Sequence, residues 1–265
     1  MIHLKSILFN LSKQDEFPYT LPFFRSPEMV LDSPITIITG DNGSGKSTFL
    51  ELICEKLKLY RIEMANIYQN ESKDLFRNVC RDIRVKYELT APKGFFFSAE
   101  DFTSYIHFLI KEKNEAEKEL KRIDVEYKNK STLSRQLAQS PHSKTIWEID
   151  QLYQKDLLKS SHGEAYLSFF SSRLHKNQIY LLDEPETPLS FQSQLILIAM
   201  IHEAIKNGNQ FIIATHSPML MAMEDSTILD FSPQGVKKVK YSEVEFVQLL
   251  KDFLNHPESF FKHLY

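Results

Sequence analysis

The chain has little glycine, little cysteine and almost no net charge, and each shortage argues against something. It holds 7 glycines and 2 cysteines among 265 residues, with 32 basic against 35 acidic side chains and a formal charge of −3. Cys54 and Cys80 stand alone, with no Cys-x-x-Cys or Cys/His spacing, which argues against a disulfide framework or a zinc site and reads as buried thiols. Near-neutral charge removes any bulk pull toward nucleic acid or a membrane surface, leaving only a local basic face open. No apolar run approaches the ~18 residues that cross a bilayer. The Met1–Ser6 start lacks the charged, apolar, small-residue succession of a signal peptide, so the expected location is cytoplasmic. A chain of this length buries a sizeable core, and the expected organisation is one domain over residues 1–265 with a helical insert at about 101–160.

The little glycine present is concentrated. Gly40, Gly43 and Gly45 share one loop and Gly163 lies in a second motif, places where backbone must approach a ligand or adopt positive φ. The loop reads Gly40-Asp41-Asn42-Gly43-Ser44-Gly45-Lys46-Ser47-Thr48 and matches G-x-x-x-x-G-K-[ST]. In such a loop the backbone N–H groups grip phosphate oxygens, the lysine neutralises them and the hydroxyl reaches Mg²⁺. Ile35 to Thr39 precedes it as a strand, and Phe49, Leu50, Ile53 and Leu57 follow at helical spacing, so the helix aims free amides and its positive dipole end at the anion. Alone, this predicts a nucleoside triphosphate and nothing narrower.

Ile2 to Phe9 reads as a strand, and Pro18 to Pro27 as an irregular stretch with an aromatic cluster of Tyr19, Phe23 and Phe24. Gly94 to Phe97 reads as a buried strand, with helix from Asp101. Acid and base then alternate from Lys111 to Lys130, the pattern of a solvated helix face; the segment has room for a few short helices but not for arms of hundreds of residues. Tyr166, Phe169, Phe170 and Leu174 form a helical stripe. Strand Ile179 to Leu182, apolar helix Leu195 to Ile205, the stop at Asn207-Gly208 and strand Phe211 to Ala214 make a β-α-β crossover, which implies parallel pairing. Ser242-x-x-Glu245 reads as a capping box opening a helix that carries Phe246, Leu249, Leu250 and Phe253 and ends at Pro257.

Asp183 closes the strand Ile179 to Leu182, which sets a carboxylate at the carboxyl end of a parallel sheet, where it can hold Mg²⁺. Glu184 follows and can orient, or take a proton from, a water attacking the γ-phosphate. His216 follows the next strand and would point at the same crevice. Ser161-His162-Gly163-Glu164 opens a helix and offers a hydroxyl and free amides to an anion. Because the phosphate loop is already supplied with donors, this second anion-seeking helix start makes most sense if it serves a γ-phosphate bound by another copy of the chain.

In their order, GDNGSGKST, SSHGE, IYLLDEPE and ATHSP resemble the ATP-binding-cassette ATPase superfamily. GFFFSAEDF and DFLNHPESFFKHLY are similar to segments of stand-alone bacterial AAA-family ATPases related to chromosome-maintenance proteins. The resemblance implies an α/β P-loop fold of the cassette type: a mostly parallel central sheet, an antiparallel β portion and a small helical insert. It implies Lys46, Ser47, Asp183, Glu184 and His216 acting in cis, Ser161 with Gly163 acting in trans, and ATP with Mg²⁺ as cofactors. The implied partners are a second copy of the chain with ATP sandwiched between, and a protein effector such as a nuclease, with DNA a further candidate and a membrane partner ranked below these.

Several positions depart from the superfamily pattern. His162 replaces the first signature glycine, Glu164 replaces the glutamine usual in transporters and looks more like the chromosome-maintenance and repair branch, and Ser190 stands where transporters carry an aspartate. The lid residue is Gln69, Ser98 or Glu100, of which Glu100 is selected, and adenine stacks on Tyr19, Phe23 or Phe24 unless these rings are core. The function expected is a soluble ATPase that dimerises around two ATP molecules and drives a partner in DNA processing or phage defence. Two alternatives stay open: the nucleotide-binding subunit of a membrane transporter, and an ATP-dependent dimerisation switch with little turnover.

Overall fold

The computed structural model describes residues 1–10, 17–62, 76–88, 90–152 and 162–262. Two sheets form its frame. In the larger, β3 (Ile35–Gly40), β8 (Gln210–Ala214), β7 (Ile179–Asp183), β6 (Gly94–Ser98) and β4 (Tyr60–Arg61) run parallel in that spatial order. On the other side of β3 lie β9 (Ser226–Ser232), parallel to it, and β10 (Gly235–Val239), antiparallel to β9. The smaller sheet is antiparallel, with β1 (Leu4–Phe9) between β2 (Glu28–Val30) and β5 (Ile83–Tyr87).

The central strands are apolar on both faces, as strands covered on both sides must be. Alternation sends Ile35 and Ile37, Phe97, Tyr180 and Leu182, and Phe211 and Ile213 into one core, and Ile38, Phe96, Ile179 and Leu181, and Ile212 and Ala214 into the other. In the first core Phe97 lies 4.7 Å from Tyr166, 5.4 Å from Phe169 and 5.8 Å from both Phe102 and Phe170, ring centre to ring centre. Gly94 permits β6 to approach β7 there, since a Cβ would come within 1.8 Å of the Ile179 carbonyl oxygen.

Helix α1 (Lys46–Leu57) fills the second core beneath the phosphate loop. Gln210, fully buried, locks the small sheet onto the large one: its Oε1 accepts from His3 N and Leu4 N, both at 2.8 Å, and its Nε2 donates to the Leu4 carbonyl at 3.0 Å. Cys54 is buried and Cys80 half-buried; burial pushes their thiols up to about 12 and about 11, which keeps them protonated and inert.

Three readings are corrected. In place of a few short helices, α2 (Ala99–Glu126) and α3 (Thr132–Leu152) are single helices of 28 and 21 residues. The pairs Lys113–Asp150 at 2.5 Å and Asp124–Arg135 at 2.6 Å tie the middle of α2 to late α3 and late α2 to early α3, so α3, about 30 Å long, runs back antiparallel along the second half of α2. The charge alternation hides the reason: Phe102, Ile106, Leu109, Ala116 and Ile123 form one buried seam along α2. The start of α2 also lies earlier than Asp101, because Ser98 Oγ accepts the Asp101 N–H. Near the end of the chain, Glu243 rather than Glu245 closes a turn, accepting Lys240 N–H at 2.9 Å. The helix Glu245–Asn255 opens without a side-chain cap behind Val244, which is buried in the first core and so cannot give way to a polar cap.

Truncating Phe97 to Ala empties the centre of the aromatic cluster and should cost about 3–5 kcal/mol of stability, read as a lower urea midpoint at unchanged slope.

Candidate functional site

Three adjacent parallel strands, β3, β8 and β7, end side by side, and each is followed by a motif residue set. After β3 the chain turns through Gly40 at φ 137°, where a Cβ would lie 2.3 Å from the Phe231 carbonyl, and through Gly43 and Gly45 at φ 79° and 90°. Helix α1 then starts at Lys46, with Gly45 as its left-handed cap. The loop is thus a set of backbone amides at a helix N-terminus, closed by packing against β9.

Lys46 is 5% exposed, and its Nζ donates to the carbonyls of Gly40 at 2.8 Å and Asp41 at 3.0 Å. Burial holds its pKa below the usual lysine range, opposed by Glu184, Asp183, Asp41 and Glu186. Ser47 Oγ donates to Asp183 Oδ1 at 3.1 Å, joining the start of α1 to the end of β7. Burial pushes the Asp183 carboxyl up to about 7, with the Ser47 bond pulling the other way. A hydroxyl and a carboxylate side by side form an all-oxygen donor pair, the kind that suits Mg²⁺.

Glu184 has φ 46°, a left-handed conformation that costs a non-glycine residue energy, and its N–H is held by the Ala214 carbonyl at 2.9 Å. His216 shares with Gly40, Asp41, Asn42 and Asp230 a cleft of about 550 Å³ beside the loop. Its Nε2 and the Ser44 Oγ are both buried without a hydrogen-bond partner among the described residues. Orphaned polar atoms at an amide-lined loop fit an anionic ligand.

The remaining predicted residues are distributed as follows. Asn42 is exposed on the loop and Thr48 half-buried in the first turn of α1. Gly163 is buried at the start of α4 (His162–Arg173), where a Cβ would lie 3.1 Å from the Pro188 carbonyl, so its smallness already serves packing within the chain. Glu164 is exposed in the first turn of that helix. Ser161 and Gln69 lie outside the described residues. Ser98 stands in register with Asp183 on the neighbouring strand, whereas Glu100, one residue into α2, is exposed. Tyr19, Phe23 and Phe24 are buried, with Phe23 5.4 Å from Phe49 and 6.0 Å from Phe231, so these rings belong to the core. Glu186 was not anticipated: its Oε1 accepts the N–H groups of His216 and Ser217. Its place inside the Asp183-Glu-Pro-Glu186 run was the available signal.

Fold and loop together define a P-loop nucleotide-binding protein of mixed α/β type with a mostly parallel sheet. The chain belongs to the AAA domain family, whose model matches residues 21–211. Among curated proteins it is similar to UvrABC system protein A of Rhizobium meliloti (strain 1021), 33% identical over 79 residues that make up 28% of this chain and 8% of that protein. It is likewise similar to UvrABC system protein A of Paracoccus denitrificans, 31% identical over 65 residues, 24% of this chain and 58% of that protein. Solved structures to which it is similar include a nucleotide-free ATP-binding cassette from an ABC transporter, at 15% identity and TM-score 0.48, covering 97% of each chain. Another is the Smc head domain of Pyrococcus furiosus bound to the C-terminal domain of ScpA, at 13% identity and TM-score 0.44, covering 96% of this chain and 100% of that one.

Because Gly40 meets the Phe231 backbone and the Gly43 position is open, Gly40→Ala should lower the melting temperature well beyond Gly43→Ala, although both carry positive φ. Equal losses in a thermal scan would contradict the packing account of the loop.

Proposed function

We propose that two copies of this chain close around two ATP molecules, that each copy hydrolyses the ATP in its own phosphate loop, and that opening and closing act on a protein partner. The observation that carries the reading is the convergence of Lys46, the Ser47–Asp183 pair, Glu184 and His216 at the ends of three neighbouring strands.

In this reading the amides of Gly40 to Thr48 hold the phosphates, and Lys46 exchanges two neutral carbonyl partners for charged phosphate oxygens, the stronger hydrogen bond. Ser47 and Asp183 hold Mg²⁺, which when bound neutralises charge developing on the transferred phosphoryl group. Glu184 orients the attacking water and takes its proton; its strained backbone, pinned to Ala214, supports a fixed aim for the carboxylate. His216 contacts the γ-phosphate. Glu100, in the first turn of α2, is the lid residue that links the site to the helical hairpin. Ser161, Gly163 and Glu164 of the second copy complete the site in trans, an assignment supported by the exposure of Glu164 at a helix start. DNA processing or defence is the proposed setting, with a nuclease or other effector, and DNA itself, as candidate partners; cytoplasmic location accords with there being no helix among the described residues long and apolar enough to cross a membrane.

Glu184→Gln keeps size and hydrogen bonding but removes the base, and should slow phosphate release by ~10²–10⁴ while ATP binding persists. Unchanged phosphate release would remove Glu184 as the base and favour an ATP-driven switch with little turnover.

A further inference from the structure

Glu186 is a half-buried acid beside the phosphate loop. It lies close enough to Lys46 to contribute to its electrostatics, and a negative charge there works against a polyanion held by Lys46. Its Oε2 is buried with no hydrogen-bond partner among the described residues. Packing alone does not call for a carboxylate here.

What the carboxylate does is hold the segment after β8. Its Oε1 accepts His216 N–H at 2.6 Å and Ser217 N–H at 3.1 Å, two hydrogen bonds to consecutive amides. The same segment is fixed by Thr215 N–H to the Ile38 carbonyl at 3.1 Å, by Ser217 N–H to Thr215 Oγ1 at 2.9 Å and by Ser217 Oγ to Gln194 Oε1 at 2.6 Å. These bonds reach Thr215 and Ser217; the backbone N–H of His216 is held by Glu186. Two residues before Glu186 is Glu184, whose own N–H is bonded to Ala214, so the two loops are stitched at both ends of a short span.

We propose that Glu186 is a positioning residue that sets the aim of His216 and couples it to Glu184. The clamp is a matter of acceptor geometry: Oε1 does the work, and the charge is the cost. This rests on the reading of His216 as the γ-phosphate contact.

The test compares Glu186→Ala, Glu186→Gln, His216→Ala and the double variant Glu186→Ala/His216→Ala. The first readout is amide hydrogen exchange in nucleotide-free protein. In Glu186→Ala the His216 amide should exchange about ten- to a hundredfold faster, while Ser217, which keeps its bond to Thr215 Oγ1, changes less and Ile212 and Ile213 in β8 keep their rates; Glu186→Gln should keep the His216 amide protected. The second readout, which needs no turnover, is the ratio of affinities for a non-hydrolysable ATP analogue and for ADP. That ratio should fall in Glu186→Ala about as far as in His216→Ala, no further in the double variant, and recover in Glu186→Gln.

Unaltered exchange in Glu186→Ala, additive losses in the double variant, or a Glu186→Gln protein as impaired as Glu186→Ala would each overturn the proposal. A uniform rise in exchange across β8 would do so too, since it marks a purely structural role. Failure of the underlying reading looks different: His216→Ala would keep the full preference for the ATP analogue while the loop amides in Glu186→Ala still lost protection. That outcome leaves a clamp with no reacting group to serve, and overturns the proposal by a separate route.

Discussion

The hydrogen bond from Ser47 Oγ to Asp183 Oδ1, 3.1 Å long, spans the end of β8 and joins the phosphate loop of β3 to the acid pair of β7. It forms only if three apolar strands run parallel and stop at the same level. That constraint is met by Ile35–Gly40, Gln210–Ala214 and Ile179–Asp183, whose registers pair Ile38 with Ala214 and Ala214 with Asp183. The aromatic core around Phe97 on one face, and α1 on the other, hold the strands in that relation. Ligand crevices outside the carboxyl ends of such strands are the general rule for open α/β sheets, and the geometry here follows from it.

Charge at the site is unbalanced toward acid. Lys46 is surrounded by Glu184, Asp183, Asp41 and Glu186, and burial pushes the Asp183 carboxyl up to about 7. An arrangement of this kind is poorly suited to bind a polyanion by simple attraction. In the function proposed here, oriented amides at the start of α1 and a cation held by Ser47 and Asp183 would supply the attraction, both acting at short range. The strain at Glu184 and the orphaned Ser44 Oγ and His216 Nε2 belong to the same pattern: local cost accepted where a ligand is to be met.

Much of this frame was legible in the sequence because the central strands are short, uninterrupted apolar runs bounded by glycine or polar turns. Ile35 to Thr39 and Ile179 to Leu182 each come within a residue of the observed strand. What the residues concealed lay where pattern and packing diverge. The α2 seam recurs every three, four or seven residues beneath an alternation of acid and base, so charge masked the long hairpin. Ser242 and Glu245 have the spacing of a capping box, but burial of Val244 decided where the helix begins. Tyr19, Phe23 and Phe24 suited either adenine or core, and only three-dimensional packing with Phe49 and Phe231 separates the two. Glu186 was passed over because its partners are the backbone amides of residues 216 and 217, which carry no side-chain signature.

The account stands or falls on the pairing of two chains through nucleotide. Sedimentation of the Glu184→Gln protein in ATP and Mg²⁺, with bound nucleotide counted in the same sample, measures that most directly. The prediction is a dimer carrying two ATP that dissociates when ADP replaces ATP. A particle of one chain's mass, 31.0 kDa, under both conditions would contradict it.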